Sequence, residues 1–276
     1  MTPHRTATLS ELQLILEWAA DEGWNPGVGD AEAFFAADPA GFFVAVDQQD
    51  APIASISVVN HTADFAFLGL YIVREEFRGR GIGHGLWRHA LQHAGSRTVG
   101  LDGVEAQQEN YRASGFVYAG ATTRFTGRVT ERIGQDVRAI DPQDIPTLIH
   151  MEGAASGVAK PDYLRPWFTK SDQRATFVKR DQNAIVGFCT IRICQSGAKI
   201  GPLVSANVDV ARELVAHAAT CISGPISMDV PNTSTALTEM CRTMRWQPGF
   251  QTARMYKGAF DASAHRCFAV TSLELG

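Results

Sequence analysis

The chain has 276 residues, more than one average domain of roughly 100–200 residues would need. Its 45% hydrophobic and 20% charged residues describe a globular protein with a real core and exclude disorder and collagen-like order. A formal net charge of −4 excludes the broad basic field a nucleic-acid partner requires, and no apolar run approaches the roughly 18–20 residues of a membrane span. The opening residues 1–6 lack a charged-then-apolar pattern, so a cytoplasmic location is expected. The five cysteines (Cys189, Cys194, Cys221, Cys241 and Cys267) show no C-x-x-C spacing and are expected as buried reduced thiols.

In chain order, a short extended piece at 5–8 precedes Ser10, read as an N-cap, and a helical stripe of Leu12, Ile15, Leu16 and Ala19. The loop Gly23-Trp24-Asn25-Pro26-Gly27 has turn chemistry, and a short helix over 31–37 is closed by Asp38-Pro39. Strands are expected at 41–46, 53–59 and 65–73. From Gly79 the period changes, and Ile82, Leu86, Ala90 and Ala94 mark a helix. A strand at 98–101, a helix at 107–114 and a strand at 116–125 complete the first half.

The second half repeats this order, which reads as a duplication. Residues 137–141 leading into 145–151 parallel 5–16; 177–181 and 185–194 parallel 43–59; 199–206 before the helix 210–221 parallel 68–94. Residues 226–230 match 99–103, and 252–256 match 122–125. A polar linker is expected at 127–135, with units at 1–129 and 136–276.

In the first half Arg78-Gly79-Arg80-Gly81-Ile82-Gly83 stands where a strand ends and a helix begins. Glycines there let backbone N–H groups approach a ligand, and the helix N-terminus adds partial positive charge, so the turn suits a pyrophosphate. A dinucleotide fingerprint fails, because His84 and Leu86 occupy the positions of its last glycine, and no P-loop Gly-Lys-Ser/Thr exists.

The run Arg78-x-x-Gly81-x-Gly83, followed downstream by Tyr111-Arg112-Ala113-Ser114-Gly115-Phe116, resembles the acyl-CoA turn and second signature of the GNAT superfamily of N-acetyltransferases. Glu22-Gly23-Trp24-Asn25-Pro26-Gly27, Leu101-Asp102-Gly103, Gln107-Gln108-Glu109-Asn110-Tyr111 and Ser272-Leu273-Glu274-Leu275-Gly276 resemble its YitH-like branch, with an active domain followed by a degenerate one. The resemblance implies an α/β (mixed α+β) protein: a tandem duplicated GNAT fold, each copy a mixed, largely antiparallel sheet flanked by helices.

It also implies acetyl-CoA as co-substrate, no metal, and direct attack of an amine on the thioester. The backbone of Tyr71, Ile72 and Val73 would hold the pantetheine, and Arg78, Gly79, Arg80, Gly81, Ile82, Gly83 and His84 the pyrophosphate. Where many members place an asparagine near the cofactor this chain has Val104, and Asn110 stands beside the tyrosine instead. Val204-Ser205-Ala206-Asn207-Val208-Asp209-Val210 replaces the glycine turn in the second copy, which is expected not to bind CoA and to wall the acceptor site.

Tyr111 is the candidate acid for the leaving thiolate, since a phenol keeps its proton at neutral pH; simple packing beside the cofactor is the alternative. Asp64, His61 and Asp102 are candidate bases, weighed against solvated loop-end charges or no dedicated base. Trp24 and Asn25, with Asp229 and Tyr256 from the second half, are candidate acceptor-binding residues, against turn, core and edge roles. His84, His89 and His93 share a helix without a third ligand at metal spacing and are read as solvated. The expected acceptor is a small-molecule amine; a peptide or protein N-terminus and a non-catalytic acyl-CoA sensor are the alternatives. Monomer and homodimer remain equally open.

Overall fold

Thr8, not Ser10, caps the first helix α1 (Leu9–Asp21): its hydroxyl accepts from Glu11 N while the Glu11 carboxylate accepts from Thr8 N, a reciprocal capping box. The computed structural model describes residues 2–129, 136–260 and 269–276. The first copy runs β1 (His4–Thr6), α1, α2 (Ala31–Ala37), β2 (Phe42–Val46), β3 (Pro52–Asn60), β4 (Phe65–Val73), α3 (Ile82–Ala94), β5 (Thr98–Val104), α4 (Gln108–Ala113) and β6 (Val117–Gly127). The second runs β7 (Val137–Ala139), α5 (Ile145–Ser156), α6 (Pro161–Phe168), β8 (Arg174–Asp181), β9 (Ala184–Ile193), β10 (Ala198–Ser205), α7 (Val208–Ala219), β11 (Ile226–Pro231), α8 (Thr235–Thr243) and β12 (Gln247–Lys257). Helices α6 and α8 were not expected. Part of the anticipated linker, residues 130–135, lies outside the described residues, as does Cys267.

Among the described residues twelve strands form one sheet in the order β1-β2-β3-β4-β5-β12-β6-β11-β10-β9-β8-β7. Only β4–β5 and β10–β11 are parallel. The two copies exchange their final strands: β12 lies between β5 and β6, and β6 between β12 and β11. The hydrogen-bonded sheet therefore runs across the boundary expected near residue 130.

Alternate residues of each strand face opposite layers. On one side α1, α2, α5 and α6 share a single core in which Phe34 of the first copy stacks on Trp167 of the second, centroids 6.1 Å apart and nearly parallel. Both rings are fully buried, so truncating either to alanine would cost about 3–5 kcal/mol. On the other side α3 and α7 cover separate clusters. Cys189, Cys194 and Cys241 are buried as expected, and burial pushes the Cys241 thiol up to about 12. Cys221, by contrast, is exposed just beyond the end of α7.

Candidate active site

The sheet opens at one place in the first copy. Strands β4 and β5 pair only through residues 65–68 and 98–101. Leu70 then takes a positive φ of 47°, where β4 also slips register against β3, and the bulge carries residues 71–73 away from β5. The Leu70 carbonyl accepts a bond from the buried Ser55 hydroxyl at 2.8 Å, which holds the bulge in place. A wedge results, with β4 on one wall and β5 and α4 on the other.

At the mouth of this wedge sits the glycine turn. Gly79 and Gly81 have φ of +74° and +75°, a region costly to residues with a Cβ, and a Cβ at either would meet nothing within 4 Å. The space over the turn is therefore open. Gly81 also supplies the N-cap of α3 without a side-chain acceptor, and the first turn of α3 carries no acidic residue, so its N–H groups stay available to an anion. Gly83 has a different reason: a Cβ there would press on the Tyr71 hydroxyl at 2.6 Å and on Val73 at 2.9 Å. Arg78 donates to the Val73 carbonyl at 2.8 Å and pairs with Glu22, tying the turn to the strand end and to α1. Arg80 lies over the Phe77 ring, 5.5 Å from its centroid.

Tyr71, Ile72, Val73 and the whole run from Arg78 to His84 line one cleft of about 1130 Å³. The residues present thus fit a phosphate-bearing ligand with an extended arm. Asn110 is not among them; its amide donates to Gln107 at 2.8 Å, and Gln107 and Val104 line the cleft in its stead.

Deeper in the wedge is a second cavity of about 560 Å³, lined by Tyr71, Trp24, Gln107 and Val104 from the cleft side and by Tyr111, Asp102 and Leu68 from within. Phe250, Thr252, Leu273 and Glu274 of the second copy close it. Tyr111 is buried, stacked on Trp87 at 5.6 Å, and tucked against Gly103, where a Cβ would come within 2.8 Å of its ring. Burial, reinforced by the neighbouring Tyr71, raises the Tyr111 pKa, so its phenol keeps its proton across the neutral range.

Several expected site residues lie elsewhere. Asn25 faces the second copy, its amide donating to the Ser196 carbonyl at 2.9 Å and accepting from Ser196 N at 3.2 Å. Asp229 is fully buried against Arg124 and Lys199; burial pushes its carboxyl up, but the two cations outweigh that and hold it at about 2. Arg124 and Lys199 also donate to the Trp24 carbonyl, at 2.8 and 3.2 Å, so the cations that pair with Asp229 also hold the Trp24 loop. Tyr256 lies on a separate cavity beside Phe260.

Among the base candidates, Asp64 accepts from Thr62 in an exposed turn ahead of β4. His61 bonds the Leu275 carbonyl at 2.8 Å, and burial together with Lys160 lowers its pKa to about 3. Asp102 does reach the cavity, but both its oxygens accept from Arg254, at 2.9 and 2.7 Å. Of the three helix histidines His84 is exposed, while His89 and His93 are part-buried against Phe43 and His93 pairs with Asp38 at 2.7 Å. Among the described residues no group of three or more His, Cys, Asp or Glu is arranged to hold a metal, and no helix is long and apolar enough to cross a membrane.

The second copy repeats the frame without the opening. The side chain of Asn207 caps α7, accepting from Asp209 N and Val210 N at 3.1 and 3.0 Å, and so occupies the N–H groups that α3 leaves free. Ala269 bridges to Leu203 of β10 and Val270 N bonds the Asp229 carbonyl of β11, filling the equivalent wedge. The same segment continues into the first wedge, where Gly69 has no room for a Cβ beside the Glu274 carbonyl. Glu274, Phe250 and Gln107 are site residues that sequence reasoning did not assign. Glu274 stands within the run Ser272-Leu273-Glu274-Leu275-Gly276, but nothing in that run indicates which wedge it enters.

The family model described as "Acetyltransferase (GNAT) family" matches residues 9–118, and one described as "Acetyltransferase (GNAT) domain" matches 148–269. The holothin acyltransferase of Pseudoalteromonas sp. (strain SANK 73390) is 34% identical, the alignment covering 100% of this chain and 97% of that one. The uncharacterized N-acetyltransferase YitH of Bacillus subtilis (strain 168) is 22% identical over 62% of each chain. A solved structure from Pyrococcus horikoshii superposes with a TM-score of 0.84 at 18% identity, covering 100% of this chain and 96% of that one. A tandem GNAT protein from the clavulanic acid biosynthesis pathway superposes with a TM-score of 0.64 at 13% identity, covering 95% and 100%.

Proposed function

Since the chain belongs to the GNAT superfamily of acyltransferases, we propose that it is an N-acetyltransferase that carries an acetyl group from acetyl-CoA to the amine of a small molecule. The observation that carries this reading is the uncapped N-terminus of α3, set beneath open space that leads into the wedge beside Tyr111. Main-chain N–H groups at the start of α3 and the cations Arg78 and Arg80 suit the pyrophosphate. Residues 71–73, turned from β5, suit the pantetheine and an oxyanion donor. Acetyl-CoA supplies the activated acyl group when bound; Tyr111 supplies a proton to the departing thiolate.

The inner cavity is walled by both copies, which supports a small acceptor over a protein N-terminus. The name of the Pseudoalteromonas relative supports the same reading and makes holothin the first acceptor to try. The protein would work in the cytoplasm and needs no metal for this chemistry. Release of CoA thiol measured over a panel of primary amines and holothin is the test. Turnover on at least one is expected; acetyl-CoA binding without turnover on any would favour a sensor.

A further inference from the structure

Around the inner cavity stand two carboxylates, and they differ in what surrounds them. Asp102 has both oxygens held by Arg254. Glu274 is only 3% exposed, makes no ion pair among the described residues, and its Oε2 is buried without a hydrogen-bond partner. Arg124, Lys199 and Arg192 feel its charge, but their ion pairs are with Asp229 and Asp30. A buried carboxylate oxygen left unpaired is costly, and such groups persist where a ligand completes them.

The backbone around Glu274 is fixed from several directions. His61 bonds the Leu275 carbonyl at 2.8 Å, Lys160 the Gly276 carbonyl at 2.7 Å, and Ser272 accepts from Leu275 N at 3.1 Å. Gly69 allows the Glu274 carbonyl to lie against β4. Glu274 thus lines the cavity that Tyr111 also lines, while the cleft of the glycine turn opens on the other side of Tyr71.

We propose that Glu274 is the acceptor-side catalytic residue: its carboxylate pairs with the ammonium of the incoming amine and takes a proton from it. This rests on the transferase reading above. The amine nitrogen, once neutral, forms the N–C bond to the acyl carbon as the C–S bond breaks. Tyr111 gives its proton to sulfur and regains one from the nitrogen. Glu274 then releases the first proton to solvent, so one ammonium and one thioester yield one amide, one thiol and one proton. A cavity with a single unpaired carboxylate and apolar walls of Trp24, Phe250 and Leu68 selects a monocationic primary amine with an apolar or aromatic body.

The test compares wild type with Glu274→Gln, on acetyl-CoA, with the best amine of the panel and with hydroxylamine, which is uncharged at neutral pH and needs no base. The variant should bind acetyl-CoA as wild type does, which also reports that it is folded. Transfer to the amine should fall by about 10²–10⁴-fold, and the residual rate should climb about tenfold per pH unit as solution supplies neutral amine. Transfer to hydroxylamine, above the uncatalysed rate, should stay within a few-fold. Equal losses on both acceptors, or no loss on the amine, would overturn the role of Glu274 while leaving the transferase reading intact. A wild type that binds acetyl-CoA yet transfers to no amine would overturn the transferase reading itself, and this role with it.

Discussion

Arg124 and Asp229 meet as a two-pronged buried pair, Nε to Oδ1 at 2.7 Å and Nη2 to Oδ2 at 3.0 Å, between the last strand of one sequence copy and β11 of the other. Removing Arg124 leaves the buried Asp229 with only Lys199, 3.6 Å away. Arg124→Ala should therefore lower stability by about 3–5 kcal/mol, measured by denaturant titration. Because Arg124 also holds the Trp24 carbonyl, surviving folded protein should show a raised KM for acceptor.

Gly81→Glu adds a Cβ at φ +75° and a negative charge over the start of α3. The strain should cost about 1–2 kcal/mol, leaving the fold intact, while acetyl-CoA binding by calorimetry disappears. Unchanged affinity would remove the turn from the cofactor site.

One acetyl-CoA should bind per chain. The second copy has its helix N-terminus capped by Asn207 and its wedge filled by Ala269 and Val270. A calorimetric stoichiometry of two would contradict this.

Tyr111→Phe removes a hydroxyl and little volume, so acetyl-CoA affinity should barely change. In single-turnover conditions the rate should fall about 10²–10⁴-fold, the usual worth of a positioned acid. The loss belongs in kcat, since the proton moves only as the thioester breaks. A few-fold change would assign the ring to packing against Trp87 alone.

His61 is neutral in the folded protein down to about pH 3, through burial and the charge of Lys160, while an exposed histidine titrates near 6.5. Between those values the unfolded chain binds a proton that the folded chain does not. This site should therefore lower stability as pH falls from 6.5 towards 3, by up to about 1.4 kcal/mol per unit. Thermal melts of His61→Asn across that window should show a shallower dependence than wild type.

What could be read from the sequence was local. Gly79 and Gly81 announce a left-handed turn, and the period of Ile82, Leu86, Ala90 and Ala94 fixes the helix behind it, so the cleft was legible residue by residue. Asp229 looked like a strand-end acid near a site because its partner Arg124 lies far away in sequence. Asn25 looked free for the same reason, with Ser196 supplying its bonds from the other copy. The place of Glu274 is not legible in the sequence, since the crowding at Gly69 is what reveals that its segment crosses from one wedge into the other. The strand exchange leaves no trace in strand order, because β6 and β12 are copies of each other.

That exchange has a consequence for a chain made from its N-terminus onward. Strand β5 cannot gain its outer neighbour until β12, roughly 150 residues later, has left the ribosome. At about 5–20 residues per second the first copy must wait many seconds with an open sheet edge along residues 98–104. Its glycine turn can form early from local contacts, yet the floor beneath Tyr111 arrives last, with residues 247–257 and 269–276. The emerging protein would thus hold its glycine turn before its inner cavity is closed, and under the proposed function a ribosome stalled in the second copy would leave a binder that cannot react.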